Sequence, residues 1–368
     1  MHALIVSEQG VCVRAEGDLL VVERGTSRLR QARVNDIEQV VLLGRVEIRS
    51  AAIALLLRRG IDLVFLTQQG TYRGRLAGRT SRNVNLRLLQ YRRSADLGFC
   101  LTIARQIVVA KIRHQRQVLL RAQRQLHDSE LGQALGSLRL AIRRAAAASL
   151  LDELRGQEGH AAALYFGQFG KLLRNADFCF EHRNRRPPRD PVNALLSFGY
   201  AVLGSLIETD TYRCGLDPML GFLHQADYGR ASLMLDVLEL FRPFVDTLVL
   251  RIINRRQIGC GDFVRQTAQS VEEILRDEFA DEAAADQPEI AQHTGDNGEP
   301  NGSGFAVLLS DTGRRIFLHE LFRRMREKLF YPPRAGSFEL RDIVREQLYH
   351  LSRVIEGSEV DFHPFVPT

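Results

Sequence analysis

The sequence contains few lysines. Of its 50 basic residues only Lys111, Lys171 and Lys328 are lysine, so arginine carries almost all of the positive charge. Arginine binds phosphate through a planar, bidentate fork, and the net charge of +6 favours an anionic partner. A GC-rich genome would produce the same preference for arginine, so composition alone leaves the partner open.

Cysteine, long apolar runs and common enzyme motifs are also scarce. The five cysteines are scattered and form no CxxC pair, which argues against a zinc ribbon or a disulfide scaffold and favours reduced thiols in the cytoplasm. No apolar run reaches the length of about 18 residues that a membrane span needs, and the N-terminus, MHALIVSEQG, is no signal peptide. The GxxxxGK[ST], GxGxxG and HExxH motifs are also missing.

The hydrophobic pattern divides the chain into two parts. Residues 1–77 contain short apolar runs separated by turn residues, which predicts strands. One helix is expected among them at Ser50–Arg59, capped by Ser50 and ending at Gly60, with its apolar face packed on the sheet. After the polar segment 78–85 the period changes from two to about 3.6. We therefore predict an α+β fold: a small N-terminal β-rich domain (1–79) and a larger all-α domain (80–368).

Glycine and proline punctuate the helical part. Gly156 and Gly159 predict a break after a helix at 132–155, so that Glu158 lies in the first turn of the next helix, where the dipole favours a carboxylate. Pro191 is expected at the first position of an apolar helix, after a stiff basic connector at 180–191. The acidic segment 281–304, rich in Gly, Pro and Asn, predicts a mobile, solvated loop.

The segment 231–242 is apolar except for one stripe at helical spacing. The stripe consists of Ser232, Asp236, Glu239 and Arg242. A helix that is apolar on its other sides is buried, so Asp236 and Glu239 would face a crevice, where like charges need a shared proton or cation. His224, just upstream, is a third potential ligand. Periodicity alone leaves open a plainer alternative, a narrow solvent-facing stripe on a core helix.

Five segments of the chain resemble the CRISPR-associated adaptation integrases, the family of the first-numbered Cas protein, and the resemblance covers nearly the whole sequence. They are EGHAAALYF at 158–166, RNRRPPRDPVNALLSFGYAVL at 183–203, GLDPMLGFLH at 215–224, GRASLMLDVLELFRPFVD at 229–246 and LSDTGRRIFLHE at 309–320.

The resemblance implies a β domain for dimerisation and partner contact, and an all-α catalytic domain with one divalent-metal site. By motif, the metal ligands would be Glu158, His224 and Glu239, and Asp236 would be a further active-site acid that is less certainly bound to the metal. Carboxylates with one imidazole suit Mg²⁺ or Mn²⁺ better than a thiolate-preferring metal, and zinc remains an alternative.

The implied reaction belongs to spacer acquisition in antiviral defence. The 3′-hydroxyl of a short duplex DNA attacks a phosphodiester at the CRISPR repeat boundary, and metal-dependent endonuclease activity accompanies it. The implied partners are double-stranded DNA, a second copy of the chain in a homodimer, and the small second-numbered Cas protein. The candidate phosphate contacts are Arg183, Arg185, Arg186, Arg189, Arg230 and Arg242.

Two other functions remain open at this stage. The chain could be a non-catalytic DNA-binding scaffold that keeps the fold without turnover. It could instead be a metal-dependent hydrolase of small phosphoesters. Against the scaffold stands the presence of Glu158, His224, Asp236 and Glu239, since DNA binding alone needs no buried acids. Against the small-phosphoester hydrolase stands the high arginine content.

Overall fold

A computed structural model of the chain describes residues 3–78, 83–184, 187–267 and 305–367. Three expectations fall wholly or partly outside these residues. They concern the domain boundary near residue 79, the arginines Arg185 and Arg186, and the acidic segment 281–304.

Within residues 3–78, eight strands form two four-stranded sheets. The strands are β1 (Ala3–Val6), β2 (Val11–Glu16), β3 (Leu19–Arg24), β4 (Ser27–Arg33), β5 (Gln39–Leu43), β6 (Val46–Ile48), β7 (Asp62–Leu66) and β8 (Tyr72–Leu76). One sheet has the order β4-β3-β2-β6 and the other β1-β5-β7-β8. In the second sheet β5 pairs in parallel with both β1 and β7, while β8 runs antiparallel to β7.

The β1-β5-β7-β8 sheet belongs to two hydrophobic cores because strand side chains alternate between faces. In β5, Val40 and Leu42 pack into the core shared with the other sheet, whereas Val41 and Leu43 pack into the core of the helical part. Because alternate side chains of this sheet point into different cores, the sheet packs the β-rich part against the helical part.

The helix predicted at Ser50–Arg59 is confirmed as α1. It ends at Gly60, which adopts the left-handed conformation (φ 66°) that glycine tolerates best. Its buried residues, such as Leu55, pack into the core between the sheets, as expected. The predicted cap is wrong in detail, because Ser50 is the first helical residue and Arg49 precedes it without a side-chain cap.

The residues after position 78 that the structure describes are mainly helical, which confirms the α+β fold class. The helices are α2 (Val84–Ser94), α3 (Leu97–Leu126), α4 (Ser129–Ala147), α5 (Leu151–Phe169), α6 (Pro191–Arg213), α7 (Ser232–Asn254), α8 (Asp311–Met325) and α9 (Leu340–Glu356). The helical part also contains two small antiparallel sheets. They pair β9 (Phe263–Thr267) with β10 (Phe305–Leu309), and β11 (Lys328–Tyr331) with β12 (Gly336–Glu339).

The predicted break at Gly156 and Gly159 is wrong. Helix α5 begins at Leu151 and runs through both glycines, so Glu158 lies in its interior and not in its first turn. A glycine inside a helix costs only about 1 kcal/mol relative to alanine, and the burial of Leu154, among others, compensates for that cost.

Of the two apolar helices of the centre, α6 begins as predicted. Helix α6 begins with Pro191 at its N-terminus, capped by Asp190, whose side chain accepts a hydrogen bond from the backbone N–H of Asn193. Among the described helices, α6 alone is long and apolar enough to cross a membrane, but 89% of its apolar window is buried inside the protein, as in a core helix. Helix α7 runs on through Pro243, a residue type that predicts either the end of a helix or a kink in it.

Candidate active site

The carboxylate of Asp236 organises the chain immediately before α7. It accepts hydrogen bonds from the backbone N–H groups of Phe222 at 2.5 Å, Leu223 at 2.9 Å and His224 at 2.9 Å. A Cβ atom at Gly221 would lie 2.8 Å from Asp236 Oδ2, so the close approach of this segment requires glycine. Asp236 is fully buried, and these donors stabilise its charge there.

The imidazole of His224 contacts the same carboxylate. His224 Nδ1 lies 2.7 Å from Asp236 Oδ1. Since a carboxylate only accepts hydrogen bonds, Nδ1 carries the proton in the neutral ring, which leaves the lone pair on Nε2. A carboxylate behind a histidine in this way orients metal-ligating imidazoles.

Helix α5 is attached to the same segment. Arg155 donates to the carbonyl oxygen of Leu223, from Nη2 at 2.8 Å and from Nε at 3.2 Å. Glu158 lies one turn further along α5, on the same side of the helix. Three elements, α5, α7 and the segment before α7, therefore converge on one place.

Glu158 and Glu239 meet at Lys111, which lies on α3. The Lys111 ammonium contacts Glu158 Oε1 and lies 2.6 Å from Glu239 Oε2. The other oxygen of Glu239, Oε1, accepts a hydrogen bond from Arg242 Nε at 2.9 Å. Lys111 and Glu239 are buried, with 5% and 6% of their surface exposed. The two predicted carboxylate ligands thus share one cation, and that cation is a side chain.

The surrounding charges keep Glu239 and Lys111 ionised. Burial alone would raise the pKa of the Glu239 carboxyl, but Arg242 and Lys111, followed by His224, lower it to about 2. Burial opposes the charged form of Lys111 as well, yet the carboxylates of Glu239 and Glu158 raise the pKa of its ammonium.

The donor set suits a hard divalent cation, although the side chains do not form a complete metal site. Across the ranges that the structure describes, no three His, Cys, Asp or Glu side chains lie close enough together to hold an ion as they stand. Two carboxylates already converge on one positive charge, and within the same ranges the buried Glu239 Oε2 has no partner besides the Lys111 ammonium. The residues therefore fit a cation such as Mg²⁺ or Mn²⁺.

Sequence reasoning missed Lys111 and the buried polar group around Asp246. Asp246, two turns beyond Glu239 on α7, accepts hydrogen bonds from Tyr165 at 3.0 Å and from Tyr200. The guanidinium of Arg242 stacks on Tyr200 with 4.6 Å to the ring centroid. Helical spacing offered a signal for each residue. Lys111 lies four positions after the apolar Ile107, and Asp246 lies seven positions after Glu239, so each shares a helix face with that residue.

The candidate phosphate contacts are not equivalent. Arg242 is engaged by Glu239 and Tyr200, and Arg183 donates to Asn193 Oδ1 at 2.6 Å and to Ser197 Oγ at 3.0 Å. Arg189 and Arg230 are exposed. Among the described candidates, only the last two present their side chains openly to a partner, and their contact with DNA stays a prediction.

A family model and the relatives of the chain point to the same protein family. A family model described as CRISPR associated protein Cas1 matches residues 4–285. A CRISPR-associated endonuclease Cas1 of Rhodospirillum rubrum is 37% identical over 290 residues, covering 76% of this chain and 83% of that protein. A Cas4/Cas1 fusion of Geobacter sulfurreducens is 35% identical over 98% of this chain, which spans only 59% of the fusion protein.

A solved structure shares the fold. A casposase bound to its integration product matches with a TM-score of 0.77 and 20% identity, and the match covers 100% of this chain and 95% of that one. At this identity the likeness concerns the arrangement of the strands and helices alone.

Proposed function

The chain belongs to the CRISPR-associated protein Cas1 family, and from this premise we propose that it is a divalent-metal-dependent DNA integrase and endonuclease of spacer acquisition. The observation that carries the proposal is the meeting of Glu158 and Glu239 on one buried cation, beside a histidine oriented by Asp236. The two relatives that are 35% and 37% identical to this chain over the aligned residues are named as endonucleases, which supports the same reaction class.

In this proposal Glu158, Glu239 and His224 would hold Mg²⁺ or Mn²⁺. A bound ion would supply Lewis-acid activation of a DNA 3′-hydroxyl and of the phosphodiester that it attacks. Asp236 keeps the histidine in the tautomer that exposes Nε2, and Arg155 fixes the backbone that carries it. Arg242 holds the oxygen of Glu239 that Lys111 does not contact and so limits the rotation of the carboxylate.

The proposed partners are double-stranded DNA, a second copy of the chain and the second-numbered Cas protein, and the proposed compartment is the cytoplasm. The exposed guanidinium groups of Arg189 and Arg230 support contact with DNA phosphates, to which arginine binds in a bidentate way.

A reconstituted integration assay tests the proposal. The protein and the second-numbered Cas protein are incubated with a short 3′-hydroxyl duplex and a supercoiled plasmid that carries the repeat, with Mg²⁺ or Mn²⁺. We expect joined product, and a loss of at least about a hundredfold in rate for Glu158→Gln and for His224→Ala. Glu130→Gln is the matched control, since this α4 side chain is 71% exposed.

Two results would count against the proposal. Full integration by Glu158→Gln and His224→Ala would show that the site is assigned wrongly. DNA binding by the parent protein without strand transfer in either cation would instead favour a non-catalytic scaffold.

A further inference from the structure

Lys111 places its ammonium where the proposed function requires a metal ion. The side chain comes from α3, whereas the carboxylates that it joins come from α5 and α7. We propose that Lys111 is an internal counter-cation, which holds Glu158 and Glu239 together while the site contains no divalent ion and leaves them when such an ion binds. This inference rests on the proposed function, because it presumes that a divalent cation uses these carboxylates.

The charges of the site require such a cation. Glu239 has 8% of its side chain exposed and Glu158 27%, so their mutual repulsion is only partly screened by water. With Lys111 and Arg242 present, two positive side chains balance the two carboxylates. Without Lys111, one carboxylate of the pair would lack a counter-charge, and a buried, unpaired charge is strongly destabilising.

A divalent ion and the Lys111 ammonium would compete for the same atoms. Glu239 Oε2 lies 2.6 Å from the ammonium, a distance that leaves no space for an ion between the two groups. An ion that binds this oxygen would also bring a charge of two units next to the positive lysine. The ammonium therefore has to withdraw, and the flexible four-carbon stem of lysine permits this movement.

The residue type at position 111, lysine instead of arginine, supports the proposed displacement. Forty-seven of the 50 basic residues are arginine, so lysine is a rare choice at any basic position. An ammonium is a compact point charge, closer in size and shape to a metal ion than a guanidinium is. A guanidinium would hold a carboxylate with two parallel hydrogen bonds and would resist displacement more strongly.

Mn²⁺ binding to the purified full chain, measured by isothermal titration calorimetry, tests the inference without an activity assay. Lys111→Met removes the competing charge, so we expect the Kd for Mn²⁺ to fall by at least about fivefold. Lys111→Arg keeps the charge in a form that is harder to displace, so the Kd should rise by a similar factor. Thermal unfolding should show a lower midpoint for Lys111→Met without metal and a larger Mn²⁺-dependent increase than in the parent.

Lys171→Met is the control. Lys171 also joins two carboxylates, Asp128 at 3.0 Å and Glu130 at 2.7 Å, but it is 31% exposed and touches none of the proposed ligands. Its replacement should leave the Kd for Mn²⁺ unchanged. Lys111→Arg also guards against the possibility that Lys111→Met does not fold, since it retains the charge.

The possible failures can be told apart. If the parent and both Lys111 variants bind Mn²⁺ with the same Kd within twofold, or if Lys111→Met binds more weakly, the counter-cation role is wrong while the metal site stands. If the folded parent binds no Mn²⁺, the metal dependence in the proposed function is itself wrong, and the inference about Lys111 falls with it.

Discussion

Asp236 bonds to His224 twice, through the backbone N–H at 2.9 Å and the ring Nδ1 at 2.7 Å. With the N–H groups of Phe222 and Leu223, this occupies both oxygens of the carboxylate. The carboxylate of Asp236 thus holds the His224 ring in place. The two acids of the α7 stripe have separate contacts, since Glu239 pairs with Lys111 and Arg242 instead.

The first prediction concerns Asp236→Asn. An amide cannot accept hydrogen bonds on its nitrogen side, so at least one buried N–H group of the 222–224 segment would lose its partner. We expect the free energy of unfolding to fall by about 2–4 kcal/mol in a denaturant titration. Asp152→Asn, with 92% of the native side chain exposed, should change it by less than about 0.5 kcal/mol. An unchanged stability of Asp236→Asn together with lost integration would mean that Asp236 acts directly on metal or substrate.

The second prediction compares two glycines. A Cβ at Gly221 would lie 2.8 Å from the backbone of Ser232 and from Asp236 Oδ2, so Gly221→Ala must push the segment away from Asp236. We expect a loss of about 1–3 kcal/mol in the free energy of unfolding. Gly136→Ala, in the middle of α4 where a Cβ meets open space, should instead stabilise the protein by about 0.5–1 kcal/mol. The two substitutions should therefore change the free energy of unfolding in opposite directions. A change in the same direction for both would contradict the close approach at Gly221.

The third prediction concerns acid stability and His114. This α3 side chain is 3% exposed, packs edge-on against Phe244 with 4.6 Å between ring centroids, and its burial lowers its pKa to about 3. The unfolded chain binds a proton near pH 6.5, so the native protein loses stability as the pH falls from about 6.5 towards 3. The full contribution is at most about 5 kcal/mol, from 1.36 kcal/mol per pKa unit.

Denaturant titrations between pH 4 and pH 8 measure this effect. His114→Gln should flatten the decline in unfolding free energy below about pH 6.5, because the glutamine does not titrate. His319→Gln, which replaces a side chain that is 73% exposed, should retain the slope of the parent. If the unfolding free energy of His114→Gln declined with falling pH as steeply as that of the parent, His114 would not be the cause of the decline.

The fourth prediction separates DNA contact from internal support among the arginines. Arg230→Gln should weaken binding to all duplex sequences alike and reduce the slope of log K against log salt by about 1, without changing stability. Arg242→Gln should instead lower the free energy of unfolding by about 2 kcal/mol, because Glu239 loses one of its two counter-charges. Fluorescence anisotropy across a salt series measures the first effect, and a denaturant titration measures the second. A parent-like salt slope for Arg230→Gln would exclude a phosphate contact there.

Much of the fold could be predicted from the sequence because its signals are local. The two-residue period of the first part predicts strands, Gly60 ends α1, and Pro191 begins α6. The prediction failed where tertiary packing outweighed a local preference. Gly156 and Gly159 do not break α5, because each costs little and the helix buries Leu154 and Tyr165 against its neighbours.

For the site, the sequence by itself determined the acidic stripe of α7, since residues three and four apart share a helix face in any α-helix. The family resemblance implied different roles for Asp236 and Glu239. Only the tertiary structure decided which cation meets them. Lys111 precedes Glu158 by 47 positions in the chain and contacts it because α3 packs against both α5 and α7. Helix packing sets such contacts between residues distant in sequence, and helical periodicity contains no information about which faces will meet.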